Sequence, residues 1–214
     1  MNNLQTNWQI VAEKLQKKIW ITKGARFNAH QRLQNRHNWS IASISFLSAY
    51  VIAISLLAFI PPISLSAKQN TIVSFSAIVL SLFILVLSLL ESSKSYESKG
   101  REFHECGRQL SRVLDKLTIS MEFWKSRQNN VNIQTELTDI DNEYNQILDK
   151  CHENHDIIDV ELFKLENQND QGFKLSIPER ISFRFKIIVS RCFPCVIFVV
   201  VPPIVITLLL IFVS

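Results

Sequence analysis

Two histidines three positions apart, His152 and His155, sit with Glu153 and Asp156 in the run HENHD. These are side chains that can hold a divalent metal or move a proton. A hydrolytic zinc centre of the HExxH type needs a different spacing and a third ligand on a separate element. Here the run lies in a segment, 136–170, with 11 acidic and two basic residues. A solvated acidic face or helix end accounts for it better, so neither a bound metal nor a cofactor is expected. Cys192 and Cys195 form a CxxC, but the second pair of ligands that a zinc site requires is missing. They read as two small apolar residues entering lipid. There is no Gly-rich phosphate loop, no GxSxG and no βαβ alternation, and four glycines leave little material for such loops. The chain is not read as an enzyme; a membrane enzyme built on His152 and His155 is the weakest of the functional readings.

Cations interleaved with aromatic residues carry a different chemistry. Residues 1–39 hold seven basic side chains against Glu13 alone, together with Trp8, Trp20, Phe27 and Trp39. Rings that stack bases beside groups that neutralise phosphates form the footprint of nucleotide or single-strand binding. Arg26 and Arg32 in this arm, and Arg101, Arg108 and Arg112 further along, are the candidate anion contacts. Two plainer uses compete for them: flanks of membrane spans need such charge on the inner side, and the acidic 136–170 segment is an obvious partner within the chain.

A third group is polar but uncharged. Ser74, Ser81 and Ser88 recur at seven-residue steps, and Ser45, Ser48 and Ser55 lie on one stripe of an earlier apolar stretch. Such hydroxyls can line a wet path, or they can let helices approach and bond across an interface at about 0.6 kcal/mol each. Pro202 and Pro203 free the carbonyls of Phe198 and Val199 in the middle of another apolar stretch, giving either a hinge or a static bend.

The elements that must position these groups are mostly membrane helices. Three uncharged apolar stretches run from Ile41 to Ile60, Thr71 to Leu90 and Cys192 to Val213. About 20 helical residues cross the hydrocarbon core, and one ionised group at mid-bilayer costs about 3 kcal/mol. The sequence therefore predicts an all-α membrane protein. Its parts are a basic helical arm (1–39), a transmembrane hairpin (40–91), a cytosolic antiparallel helical hairpin (92–165), a linker with an interfacial helix (166–191) and a third span (192–214).

Lys and Arg crowd the arm and both ends of the 91–191 segment, which places these parts inside and the C-terminus outside. The expected location is the inner membrane, multi-pass. In that setting Cys106 and Cys151 are expected as reduced thiols. Pro61-Pro62 should stop the first span. Trp8, Val11, Leu15 and Ile19 should form the apolar face of the arm. Tyr96, Phe103, Leu110, Leu117 and Trp124 recur every seven residues, as do Leu137, Tyr144, Cys151 and Ile158, predicting two seams for helix packing. The first of these helices should continue unbroken from the second span.

The order of these features resembles the SLATT domain family. The resemblance rests on Ala25-Arg26 and Arg32-Leu33 in the arm, two Ser-rich spans, the exit Leu89-Leu90-Glu91 and the heptad helix. It is completed by Tyr144 to Leu148 followed by Glu153, His155, Asp156 and Asp159. It implies a homo-oligomeric pore-forming effector of bacterial antiviral systems. Such an effector would be gated by a nucleotide or oligonucleotide second messenger from an adjacent nucleotidyltransferase or polymerase, and would act by depolarisation. A non-conducting adaptor that tethers a cytosolic partner is the alternative from another class.

Overall fold

The computed structural model describes residues 2–57, 66–126 and 132–167, together with 178, 181–183, 185 and 204. Pro61-Pro62, the Cys192/Cys195 pair, the Pro202/Pro203 pair and nearly all of the third apolar stretch lie outside the described residues. Every element among the described residues is a helix: α1 (Asn2–Leu57), α2 (Ala67–Ser93), α3 (Tyr96–Ser126), α4 (Ile133–Lys150) and α5 (Ile157–Glu166). The chain divides into two compact units, Met1–Leu33 with Glu97–Arg184, and Gln34–Tyr96 with Phe185–Ser214. The arm and the first span are one helix of 56 residues. No proline interrupts it, and Gly24 is its single glycine.

The first unit has its core where the first part of α1 meets α3 and α4. Ala12, Leu15 and Ile19 from α1 close against Leu110, Val113, Leu117 and Trp124 from α3 and against Leu137, Ile140 and Tyr144 from α4. Each large apolar side chain fully removed from water contributes about 1.5–3 kcal/mol. Polar edges are matched: Trp124 Nε1 donates to Glu136 at 2.7 Å, and the Tyr144 and Thr22 hydroxyls meet at 3.2 Å. The heptad seams are thus filled within the chain. Of the expected arm face, Leu15 and Ile19 are in the core and Trp8 packs against it, while Val11 is 49 % exposed and Ala12 is buried in its stead. The seven-step pattern also overruns α4, which stops at Lys150; Asp156 then begins α5 by accepting the first turn of that helix, with Asp159 reaching back to its N–H at 3.0 Å.

The second unit contains a helical hairpin. Ser43, Leu47 and Ile54 of α1 and Val73 and Ala77 of α2 are buried. Ser66 opens α2 with a capping box: its hydroxyl accepts from the Gln69 N–H at 3.3 Å, and the Gln69 side chain accepts from the Ser66 N–H at 3.0 Å. At the other end Glu91, a carboxylate on an apolar helix, accepts from Ser40 at 3.0 Å and pairs with Lys94. The unbroken continuation into α3 does not occur. The Lys94 and Ser95 N–H groups turn back to the carbonyls of Glu91 and Ser92, and Ser95 takes a left-handed φ of 50° before α3 starts. The remaining surface of the hairpin is largely apolar, with Phe46, Ile52, Phe75, Leu82 and Leu89 each 60 % exposed or more. Water does not tolerate a patch of that extent on two helices of spanning length, whereas lipid does. Both helices carry an apolar window long enough to cross a bilayer, and this is a membrane protein.

Candidate functional site

The motif residues of α1 and of the α4–α5 loop, far apart in sequence, come together in the first unit. Ala25 and Ala29, both fully buried, and Gly24 keep this face of α1 low enough for close approach. At Gly24 the Phe163 ring of α5 occupies the space a Cβ would need, 2.0 Å away. Arg32 then grips the start of α5. Its Nε and Nη2 donate to the two carboxylate oxygens of Asp159, both at 2.9 Å, and Nη2 also lies 2.7 Å from Asp156. Asp159 is 1 % exposed, and Asn28 donates to its carbonyl at 3.1 Å. A carboxylate so buried is tolerated only because planar, bidentate charge meets it.

Arg26 is 2 % exposed, stacked 5.2 Å from the Phe103 ring, and donates from Nη1 to the Glu153 carbonyl. Its Nε has no partner among the described residues. Burial lowers its pKa from the ordinary arginine value. His155 stands beside it with an unpartnered Nδ1. Burial, then the Arg26 charge, hold this imidazole below the ordinary histidine range, against the pull of Asp159 and Asp156. A guanidinium next to His155 opposes a bound cation there. Glu102 of α3 secures the same loop, accepting from the His152 and Glu153 N–H groups at 2.8 and 3.4 Å, and Lys99 pairs with Glu153 at 2.8 Å.

The two central cysteines also differ from expectation. Cys106 and Cys151 are joined as a disulfide, with Cα atoms 6.4 Å apart, at the point where α4 ends and this loop begins.

Of the five candidate anion contacts, Arg26 and Arg32 are therefore committed to holding the α4–α5 loop. The acidic segment is their partner. Arg101, Arg108 and Arg112 are exposed on α3, the first two pairing along the helix with Glu97 and Glu105. A separate open groove of about 750 Å³ runs between α1 and α4. Trp8, Lys14, Lys18, Gln134, Thr138 and Asp141 are among its lining residues. Lys18 there lies 4.5 Å from the Tyr144 ring and 4.0 Å from Asp141, and Lys14 is exposed. Residue spacing singles out Trp8 but not this groove, since nothing in the linear chain pairs 7–18 with 133–141.

In the hairpin, Ser74, Ser81 and Ser88 are exposed along the edge of the buried strip of α2: Ala77 stands three residues after Ser74 and four before Ser81, on the same side of the helix. Ser81 Oγ donates to the Ala77 carbonyl at 2.8 Å. Ser48 and Ser55 of α1 do the same toward Ile44 and Val51, at 2.9 and 2.8 Å. These three hydroxyls are satisfied within their own helices.

A family model described as SMODS and SLOG-associating 2TM effector domain family 5 matches residues 10–209. The chain belongs to this family. The SLATT resemblance of the motif order is thereby established, and the match takes in both the α1–α5 clasp and the transmembrane hairpin. As a SLATT domain, the chain is a membrane effector of the conflict systems that pair such domains with SMODS or SLOG proteins. No curated protein and no solved structure matches it.

Proposed function

We propose that this SLATT effector assembles as a homo-oligomeric pore that is gated by a nucleotide or oligonucleotide signal and depolarises the infected cell. The observation that carries the reading is the exposure of the α2 serines. Val73 and Ala77 are the buried residues of α2, and Ser74, Ser81 and Ser88 flank them yet stay exposed, open to a further helix. Between them lie exposed Ile78 and Leu85, giving a stripe of alternating hydroxyl and apolar character. Small hydroxyl residues permit close helix contact between copies, and in an assembled ring they offer weakly polar walls to an ion path.

For the signal, the groove between α1 and α4 is the better receptor than the buried arginines. Trp8 offers a ring to a base, Lys14 and Lys18 offer charge to phosphates, and Gln134 offers hydrogen bonds to base edges. Arg101, Arg108 and Arg112 remain available to a longer anion. We place the arm and residues 91–191 in the cytoplasm, at the inner membrane, from the distribution of Lys and Arg. The messenger would come from a SMODS-type nucleotidyltransferase or a polymerase encoded nearby, in keeping with the family description.

Purified full-length protein in liposomes tests the proposal. Ion flux that appears or disappears on adding cyclic or linear di- and trinucleotides supports it; absence of flux under every such condition leaves the adaptor reading. An adaptor would have to use the outer face of α3, where Ile119 and Phe123 are 57 and 58 % exposed, because both heptad seams are already filled.

A further inference from the structure

The Cys106–Cys151 bridge stands where the chain has least reason to need a permanent staple. Cys106 sits on the buried face of α3 at 2 % exposure, inside a continuous apolar core, and Cys151 is the partly exposed C-cap of α4. A Cα separation of 6.4 Å suits a disulfide and equally suits two packed thiols. Immediately after Cys151 come the two N–H groups held by Glu102 and the Glu153 carbonyl held by Arg26. The loop that closes on α1 is thus hung from this cysteine.

We propose that Cys106 and Cys151 are a reversible thiol–disulfide pair whose oxidation fixes the 151–156 loop, and with it the grip of Arg26 and Arg32. The inference rests on the cytoplasmic placement of 91–191, because disulfides in that compartment are transient and regulatory rather than structural. With a peroxide as oxidant, the accessible Cys151 thiolate attacks one peroxide oxygen and is left as a sulfenic acid, and the other oxygen departs as water. The Cys106 thiolate then attacks that sulfur, the S–O bond breaks, a second water leaves and the S–S bond forms. Two thiols lose two electrons, the peroxide gains them, and a dithiol reductant such as thioredoxin returns them.

The test uses full-length protein in lipid nanodiscs with Cys192 and Cys195 replaced by serine. It is cycled with hydrogen peroxide and reduced thioredoxin, and followed by alkylation with intact-mass readout and by amide hydrogen exchange. The expected result is a bond that forms and reopens repeatedly, with exchange at 152–156 about tenfold faster in the reduced form. Cys106→Ser and Cys151→Ser should each show the reduced-form rate whether or not peroxide is added. Equal exchange in both redox states, or a pair that fails to re-oxidise, overturns the proposal. Labelling of Cys151 in the Cys106→Ser variant by an impermeant maleimide from the external side of cells would instead remove the cytoplasmic placement. The two failures are therefore told apart.

Discussion

Arg32 holds Asp159 through two parallel hydrogen bonds of 2.9 Å, across 127 residues of sequence. The carboxylate is almost wholly buried and the guanidinium only 16 % exposed, so neither charge has water to fall back on. Arg32→Ala should destabilise the protein by about 3 kcal/mol, since it strands a buried anion. Asp159→Asn should cost less, because the amide keeps a partner for the Arg32 fork. Thermal unfolding followed by circular dichroism in detergent measures both, and equal small effects would show that the pair contributes little.

The seat of Phe163 on Gly24 predicts a reciprocal pair of variants. Gly24→Ala puts a methyl group inside the ring and should cost about 1–3 kcal/mol by overpacking. Combining it with Phe163→Leu should recover part of that loss, so the double variant is more stable than the sum of the singles. A double-mutant cycle on the same unfolding signal reads the coupling.

The burial of His155 beside Arg26 sets the sign of a pH dependence for the α4–α5 loop. Its pKa is lower in the folded protein than the ordinary value of about 6.5. The unfolded chain therefore binds the proton first. The stability linked to the neutral imidazole is complete above about pH 6.5 and is lost as pH falls below that value toward the folded pKa. His155→Gln should flatten this part of the stability profile. Retention of the full slope in that variant would assign it to other groups.

Neighbouring buried and exposed positions of α2 should respond differently to the same kind of change. Ala77→Leu crowds the buried side and should destabilise the hairpin by about 1–3 kcal/mol. Ser81→Leu, one turn on at the exposed edge of the same strip, should leave stability within about 0.5 kcal/mol. If that edge lines or joins a pore, liposome flux should fall sharply with Ser81→Leu while the protein remains folded. Unchanged flux would move the conduction path to another face.

Regular repetition is legible in the residues alone. The seam residues Phe103, Leu110, Leu117 and Trp124 are buried, as are Leu137 and Tyr144. The reason is that one apolar residue per seven dictates a face without reference to distant chain. The acidic segment as internal partner of the arm is likewise legible from charge. What escapes such reading are features set by pairs far apart. Arg26 looks like any flank cation until Phe103 and Glu153 enclose it. The stop at Ser95 carries no proline or glycine to announce it, and residues 106 and 151 have no local reason to be matched. Motif residues name the members of the site, but which arginines face inward follows only from packing.

Two stretches of backbone, at residues 33–34 and 94–96, differ in what holds them. Through residues 33 and 34 α1 continues as an unbroken hydrogen-bonded helix. At Ser95 the backbone is already folded into an elbow, in a conformation that a serine adopts at a cost of about 1–2 kcal/mol. Backbone amides should therefore open more readily at Ser95 than at residues 33 and 34, a contrast that hydrogen exchange can read.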